Sequence, residues 1–317
     1  HHPLNVANRI IQLDHMTRGR LMFGAGPGLL ASDALMMGIE PEDTRRRMNE
    51  GIDVILRLFR GELVTEQTDW YTMRDAHTHL RPYTQPHPEV CVASAVTPSG
   101  GRMAGQYDLG MLCVAAGESA GFDALATNWS VACEIAAEHG REMDRSRLRC
   151  VMQMHLADTR EQAIDNIRWG TEEFVRYFNN NQPRFDVPEG ADYVDWVIEH
   201  KIAVVGTPDD AIARIEQLYE QTGEFGAVLV QVTNWTDWPA LQRSFELYAQ
   251  HVMPHFSRAN ENRVRSYDWV TEQQGEQVAK PVNAAQQMFA THEAERSAAG
   301  KPVDRPDAED ATSRSLS

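Results

Sequence analysis

The sequence is short of positive charge, of cysteine and of long apolar runs, and each shortage removes a class of function. Thirty Lys and Arg stand against 46 Asp and Glu, a formal net charge of -16 at pH 7. Such a chain repels phosphate backbones and anionic lipid, which proteins bind through Lys and Arg that displace counterions, so neither nucleic acid nor a membrane surface is an expected partner. The four cysteines, Cys91, Cys113, Cys133 and Cys150, are widely spaced and form no CxxC pair. That spacing supplies neither a disulfide framework nor a zinc ribbon, and the cysteines read as reduced core residues of a cytoplasmic protein. No apolar stretch approaches the roughly 20 residues that span a bilayer. What is present, 42% hydrophobic residues over 317 positions, suffices for one large core or two small ones.

Helix and strand signals alternate with short links from residue 4 to about 256. Behind Pro3, the residues Leu4, Ile10, Ile11 and Leu13 recur at helical spacing and predict a helix over 4–16. A strand at 20–25, a glycine-rich loop and an amphipathic helix at about 44–60 follow. Residues 62–89, rich in Thr, His and Pro, read as a long loop with a hairpin around Trp70 and Tyr71. Apolar runs at 90–94, 109–115, 148–156 and 227–232 alternate with helices from about 99, at 123–139, 159–179, 207–222 and 238–250, interrupted by a polar insertion at about 180–202. The runs lack polar alternation, which marks strands buried on both faces of a parallel sheet or barrel. Five such strands fit an α/β chain of the TIM-barrel or the doubly wound type. Residues 258–317 turn polar and read as a helical extension with a disordered tail.

Several short motifs carry two readings each. In "GAGPG", 24–28, the third glycine comes one residue early for a dinucleotide loop, and a tight strand-to-helix turn explains it equally. In "SAVTPSGG", 94–101, Ser94, Thr97 and Ser99 offer hydroxyls while Gly100 and Gly101 expose N–H groups at a helix start; this is an anion site or an ordinary serine cap. "GESAG", 117–121, matches the nucleophile elbow of a serine hydrolase with Ser119 as nucleophile, or a turn of small residues without the "HGGG" segment that an oxyanion hole needs. His77, His79 and His87 match no zinc spacing, and no metal is expected. His155 closes a strand at the end where barrels place their sites, or is a core histidine. Trp235 and Trp238 stand at a mouth where a flat ring packs, or form a plain aromatic rim. The runs "PEDT" and "RRR", 41–47, read as a helix entrance with no ligand role.

The string "HHPLNVANRIIQLDHMTRGRLMFGAGPG" resembles the segment from the end of the third strand to the end of the fourth in bacterial-luciferase-like flavin monooxygenases. "VCVASAVTPSGGRMAGQYDLG" resembles the fifth strand and flavin-phosphate loop of that family, and "VVGTPDDAIARIEQLYEQTGEFGAVLVQV" its last helix–strand unit; the nearest members are the limonene-monooxygenase-like ones. The resemblance implies a TIM (β/α)8 barrel core over 1–257, with strands one to three expected upstream of His1, a gap beside the five strands, and the insertions at 62–89 and 180–202 as candidate lids. It implies reduced FMN from a separate flavin reductase, dioxygen, a C4a-peroxyflavin that oxygenates a small apolar organic substrate, and a homodimer. Cofactor contacts are expected from His2, Gly26, Ser94, Thr97, Ser99 and Gly100, with Pro27 standing where some members carry Arg; no catalytic residue is named. A deazaflavin-dependent oxidoreductase and a non-catalytic flavoprotein are the alternatives within the superfamily.

Overall fold

Residues 1–28, 30–181 and 185–302 are described by the computed structural model, and their chain order follows the alternation of the sequence. Helix α1 (Pro3–Thr17) starts on a proline behind His2, whose Nδ1 accepts from the Leu4 N–H, and stops where Arg18 turns left-handed. Strand β1 (Met22–Ala25) leads to a short helix, α2 (Ala31–Met36), and then to α3 (Thr44–Phe59), which buries Ile52, Val54, Ile55, Leu58 and Phe59 on one stripe. The excursion after α3 is an antiparallel hairpin of β2 (Val64–Gln67) and β3 (Thr72–Ala76), as its turn residues foretold. Four strand–helix units follow: β4 (Glu89–Ser94) with α4 (Ser99–Tyr107), β5 (Gly110–Cys113) with α5 (Ser119–Glu138), β6 (Leu148–Leu156) with α6 (Arg160–Ile167), and, after α7 (Thr171–Asn181) and α8 (Tyr193–Glu199), β7 (Val204–Gly206) with α9 (Pro208–Thr222). Strand β8 (Ala227–Gln231) and α10 (Trp238–Leu247) complete this part.

Among the described residues the main sheet has six parallel strands in the order β1-β4-β5-β6, with β8 on the first half of β6 and β7 on its last three residues. The expectation of five strands is corrected by Val204–Gly206, a strand too short to show a period, which pairs with Met154–Leu156. The register sorts side chains onto two faces. Val90, Val92, Met111, Leu148, Cys150 and Met152 face the helices and are at most 1% exposed. Cys91, Ala93, Leu112, Arg149, Val151 and Leu229 share the other face, where Arg149 crosses β5 to hold Glu89 through two bonds of 2.7 and 2.8 Å.

Two further expectations change. The helix read over 159–179 is two helices, because the Gly170 N–H bonds to the Trp235 carbonyl (3.0 Å) and stops the ladder between them. The polar insertion packs into a small core with its neighbours: Phe185, Val194, Trp196 and Val197 join Phe174 of α7 around Trp235. The "LDHM" string has a structural job, since buried Asp14 accepts from both the N–H and the hydroxyl of Thr84, each at 2.8 Å, and ties the excursion to α1. The chain divides into compact units at 1–253 and 254–317. The second contains helices Glu261–Glu272 and Gln274–Ala298, with no buried residue on either; the polar tail expected beyond 302 lies outside the described residues. No described helix is long and apolar enough to cross a membrane.

Candidate functional site

Helix α4 begins without a side-chain cap, because its N-cap is Pro98. Thr159 caps α6, Asp192 caps α8 and Asp237 caps α10, each accepting from the third residue along, whereas α2 and α5, like α4, have no side-chain cap. The free N–H groups of the first turn of α4 therefore carry the positive end of the helix dipole without a carboxylate or hydroxyl to absorb it. Gly100 lets this turn sit tightly on the end of β4; a Cβ there would lie 2.8 Å from the Ala93 oxygen and from Ser94 Cβ. Around it, Thr97 Oγ1 and Ser99 Oγ are 3.0 Å apart, and the Arg45 guanidinium donates to Ser99 Oγ at 2.9 Å. A cation, two hydroxyls and an uncapped helix start thus converge on one spot, which fits an anion such as a phosphate group.

Arg45 also lines a cavity of about 630 Å³ enclosed by α1, the end of β1, α2 and α3. Its walls are mostly apolar, with Val6, Phe23, Met37, Ile39, Met48 and Ile55 among them, and Gly24 and Gly26 open its floor at the end of β1. The cavity is large enough for a drug-sized ligand, and Arg45 links it to Ser99 at the start of α4.

The six cofactor residues expected from the sequence are distributed around this region. Thr97, Ser99 and Gly100 lie at the anion site, and Gly26 lines the cavity. Ser94 is 3% exposed on the helix side of β4, its hydroxyl accepting from Asn128 Nδ2 at 3.3 Å. His2 caps α1 and meets the edge of the Tyr71 ring at 5.9 Å. Sequence reasoning missed Arg45, read there as part of a helix entrance with no ligand role; no motif marks it, since its contact to Ser99 spans 54 positions.

Other candidates are placed differently. Trp235 is corrected from the mouth to the interior, 1% exposed in the core of the insertion, while Trp238 is 66% exposed. "GESAG" forms the turn from β5 into α5, and Gly121 is required there because a Cβ would collide with the Ala115 carbonyl oxygen. His77 and His79 have ring centres 6.0 Å apart, and among the described residues no group of three His, Cys, Asp or Glu is arranged to hold a metal. His155 is wholly buried; its Nε2 meets Asn166 Nδ2 at 3.0 Å, and burial holds its pKa down to about 4. Among the described residues its Nδ1 has no partner, nor have the buried Gln153 Oε1, Thr233 Oγ1 and Thr236 Oγ1. Burial likewise pushes the Cys113 thiol up to about 12, which makes it inert.

The sequence profile of luciferase-like monooxygenases matches residues 1–224. The chain belongs to the luciferase-like monooxygenase family. Limonene 1,2-monooxygenase of Rhodococcus erythropolis is 44% identical over 269 residues, 84% of this chain and 69% of that protein. The 4-hydroxyprotoasukamycin monooxygenase of Streptomyces nodosus subsp. asukaensis is 41% identical over 282 residues, 86% and 75% of the two chains. A solved structure of the oxygenating constituent of 3,6-diketocamphane monooxygenase from Pseudomonas putida, in complex with FMN, superposes with a TM-score of 0.65 at 23% identity, covering 80% of this chain and 76% of that one. The fold is therefore that of the luciferase-like TIM barrels, with the parallel half-barrel described above, and the chain is an oxidoreductase of the monooxygenase type. Membership of this family removes the hydrolase reading of Ser119.

Proposed function

We propose that this luciferase-like monooxygenase inserts oxygen from O2 into a small apolar organic molecule, using reduced FMN delivered by a separate flavin reductase. The observation that carries the reading is the uncapped start of α4 faced by Arg45, a residue that also lines the apolar cavity. Thr97, Ser99, the backbone of Gly100 and Arg45 would hold the flavin phosphate, and Gly26 leaves room beside it. The bound flavin supplies the reducing equivalents and activates the oxygen. The chain's own contribution is to fix the phosphate by charge and hydrogen bonding, to present apolar walls to the substrate and to keep water from the reacting centre. The relative named for limonene and the FMN complex of the neighbouring fold support the same assignment. We also assign the enzyme to the cytoplasm, where its four free cysteines stay reduced, as a homodimer.

The test compares FMN with riboflavin, which lacks the phosphate. The Arg45→Ala and Ser99→Glu variants are expected to lose about tenfold or more in affinity for reduced FMN, through a lost cation and an added like charge, with riboflavin binding unchanged. Equal losses for both flavins, or none for FMN, would overturn the phosphate assignment. Tighter binding of a deazaflavin than of FMN would move the chain to the deazaflavin-dependent branch.

A further inference from the structure

Three consecutive arginines open α3, and they are not equivalent. Arg46 faces away from the cavity and is saturated: it bonds Asp43, Glu50 and both oxygens of Asp69. Arg45 is bound to Ser99. Arg47 is different. Its guanidinium lies 5.7 Å above the Trp70 ring, and the carboxylate within ion-pair range among the described residues, Asp43, is at 3.9 Å, too far for a hydrogen bond. Its Nε is buried with no hydrogen-bond partner among the described residues, and the side chain as a whole is 23% exposed. Both Arg47 and Trp70 line the cavity. The Trp70 Nε1 donates to Glu50 at 2.6 Å, which orients the ring.

Positions 45 and 47 point about 200° apart around a helix, so the two arginines leave α3 in different directions. Arg45 is committed to Ser99. Arg47 stands beside an apolar wall with its Nε unspent, where a hydrogen bond gains most from the lowered dielectric. The remaining charged groups nearby are Asp33, which also lines the cavity, Asp43, Glu50 and Asp69. None of them makes a hydrogen bond to Arg47.

We propose that Arg47 is a specificity-determining residue that selects, among apolar molecules entering the cavity, those bearing a carbonyl-type oxygen. The ligand's hydrocarbon body lies against Ile39, Met48 and Ile55, and its oxygen accepts from the guanidinium over Trp70. This rests on the reading of the cavity as the substrate pocket, but not on the flavin site, and its test uses no flavin.

The experiment is calorimetric titration of the 317-residue chain with limonene, carvone and perillic acid, which share one carbon skeleton and differ in carrying no oxygen, a ketone or a carboxylate. Carvone and perillic acid are expected to bind about tenfold tighter than limonene, and Arg47→Met to abolish that preference while Arg47→Lys keeps part of it. A preference confined to perillic acid would define the oxygen as a carboxylate, and one shared by carvone as a carbonyl. Thermal melting of both variants checks that they fold. Equal affinities for the three compounds, no binding by any of them, or an unchanged ranking in Arg47→Met would overturn the proposal. Failure of the FMN test with success here would leave the cavity assignment standing without the cofactor.

Discussion

The two faces of the main sheet are built to opposite specifications. On the helix side, Val90, Val92, Met111, Leu148, Cys150 and Met152 are at most 1% exposed and make a continuous apolar layer. On the other face, one residue along each strand, the pattern breaks into an ion pair between Glu89 and Arg149, glycines at 24 and 110, and a Leu229 that is 39% exposed. The first face supplies the burial that holds the strands in register. The second keeps polar groups and space, and the groups of the proposed site, Gly24, Gly26 and the start of α4, stand along its C-terminal rim. Stability and function have been assigned to alternate residues of the same strands, as the two-residue period of a strand permits.

The largest expected effect comes from breaking the packed face. Met152→Ala removes a side chain that is 1% exposed at the middle of β6, between its pairings with β5 and β7. A cavity in so dense a layer costs about 2–5 kcal/mol, and urea unfolding of the full chain measures it as a fall in midpoint at constant slope.

That contrast also separates what the sequence could tell from what it could not. The packed face was legible because "VCVAS" and "LRCVMQMHL" are apolar without alternation, and α1 and α3 were legible by their period. The start of α4 was marked only as one of two readings, an anion site or a serine cap, and the structure excludes the second because the N-cap is Pro98. The misses are all long-range. Val204–Gly206 becomes a strand because β6 is long enough to take two partners in succession. The break at Gly170 is set by the backbone of Trp235, and the same Trp235 is buried because the insertion folds over it. Arg45 and Arg47 look alike in "RRR", and only the positions of Ser99 and Trp70 give them different work.

A second effect, of similar size but dependent on pH, sharpens the comparison at the end of β6, where His155 follows the open-face residues Arg149, Val151 and Gln153. Burial lowers its pKa from 6.5 to about 4, against a weaker opposing attraction from Asp237. Below pH 6.5 the unfolded chain takes up a proton that the folded ring refuses until about pH 4. Stability is thus fully present above pH 6.5 and falls as the pH drops through that window. The loss from this one group is on the order of 3 kcal/mol. His155→Gln, which keeps a polar partner for Asn166, should flatten the dependence of unfolding free energy on pH between 6.5 and 4. An unchanged slope would show that the ring is already solvated in the folded state.

The smallest expected effect tests the open face directly. Leu229 pairs in register with Val151 beside Arg149, on the face opposite the packed layer, and it retains 39% of its surface in solvent. Truncation there removes little buried area and leaves no sealed cavity, because the side chain's neighbours on that face are themselves partly solvated. Leu229→Ala is therefore expected to cost less than about 1 kcal/mol in the same urea unfolding series, against the several measured at Met152 on the neighbouring strand. The two substitutions remove comparable hydrocarbon from adjacent strands of one sheet, so the difference between them reads out the face and not the residue. A cost at Leu229 equal to that at Met152 would mean that the open face is packed in solution, and that the contrast between the two faces does not hold.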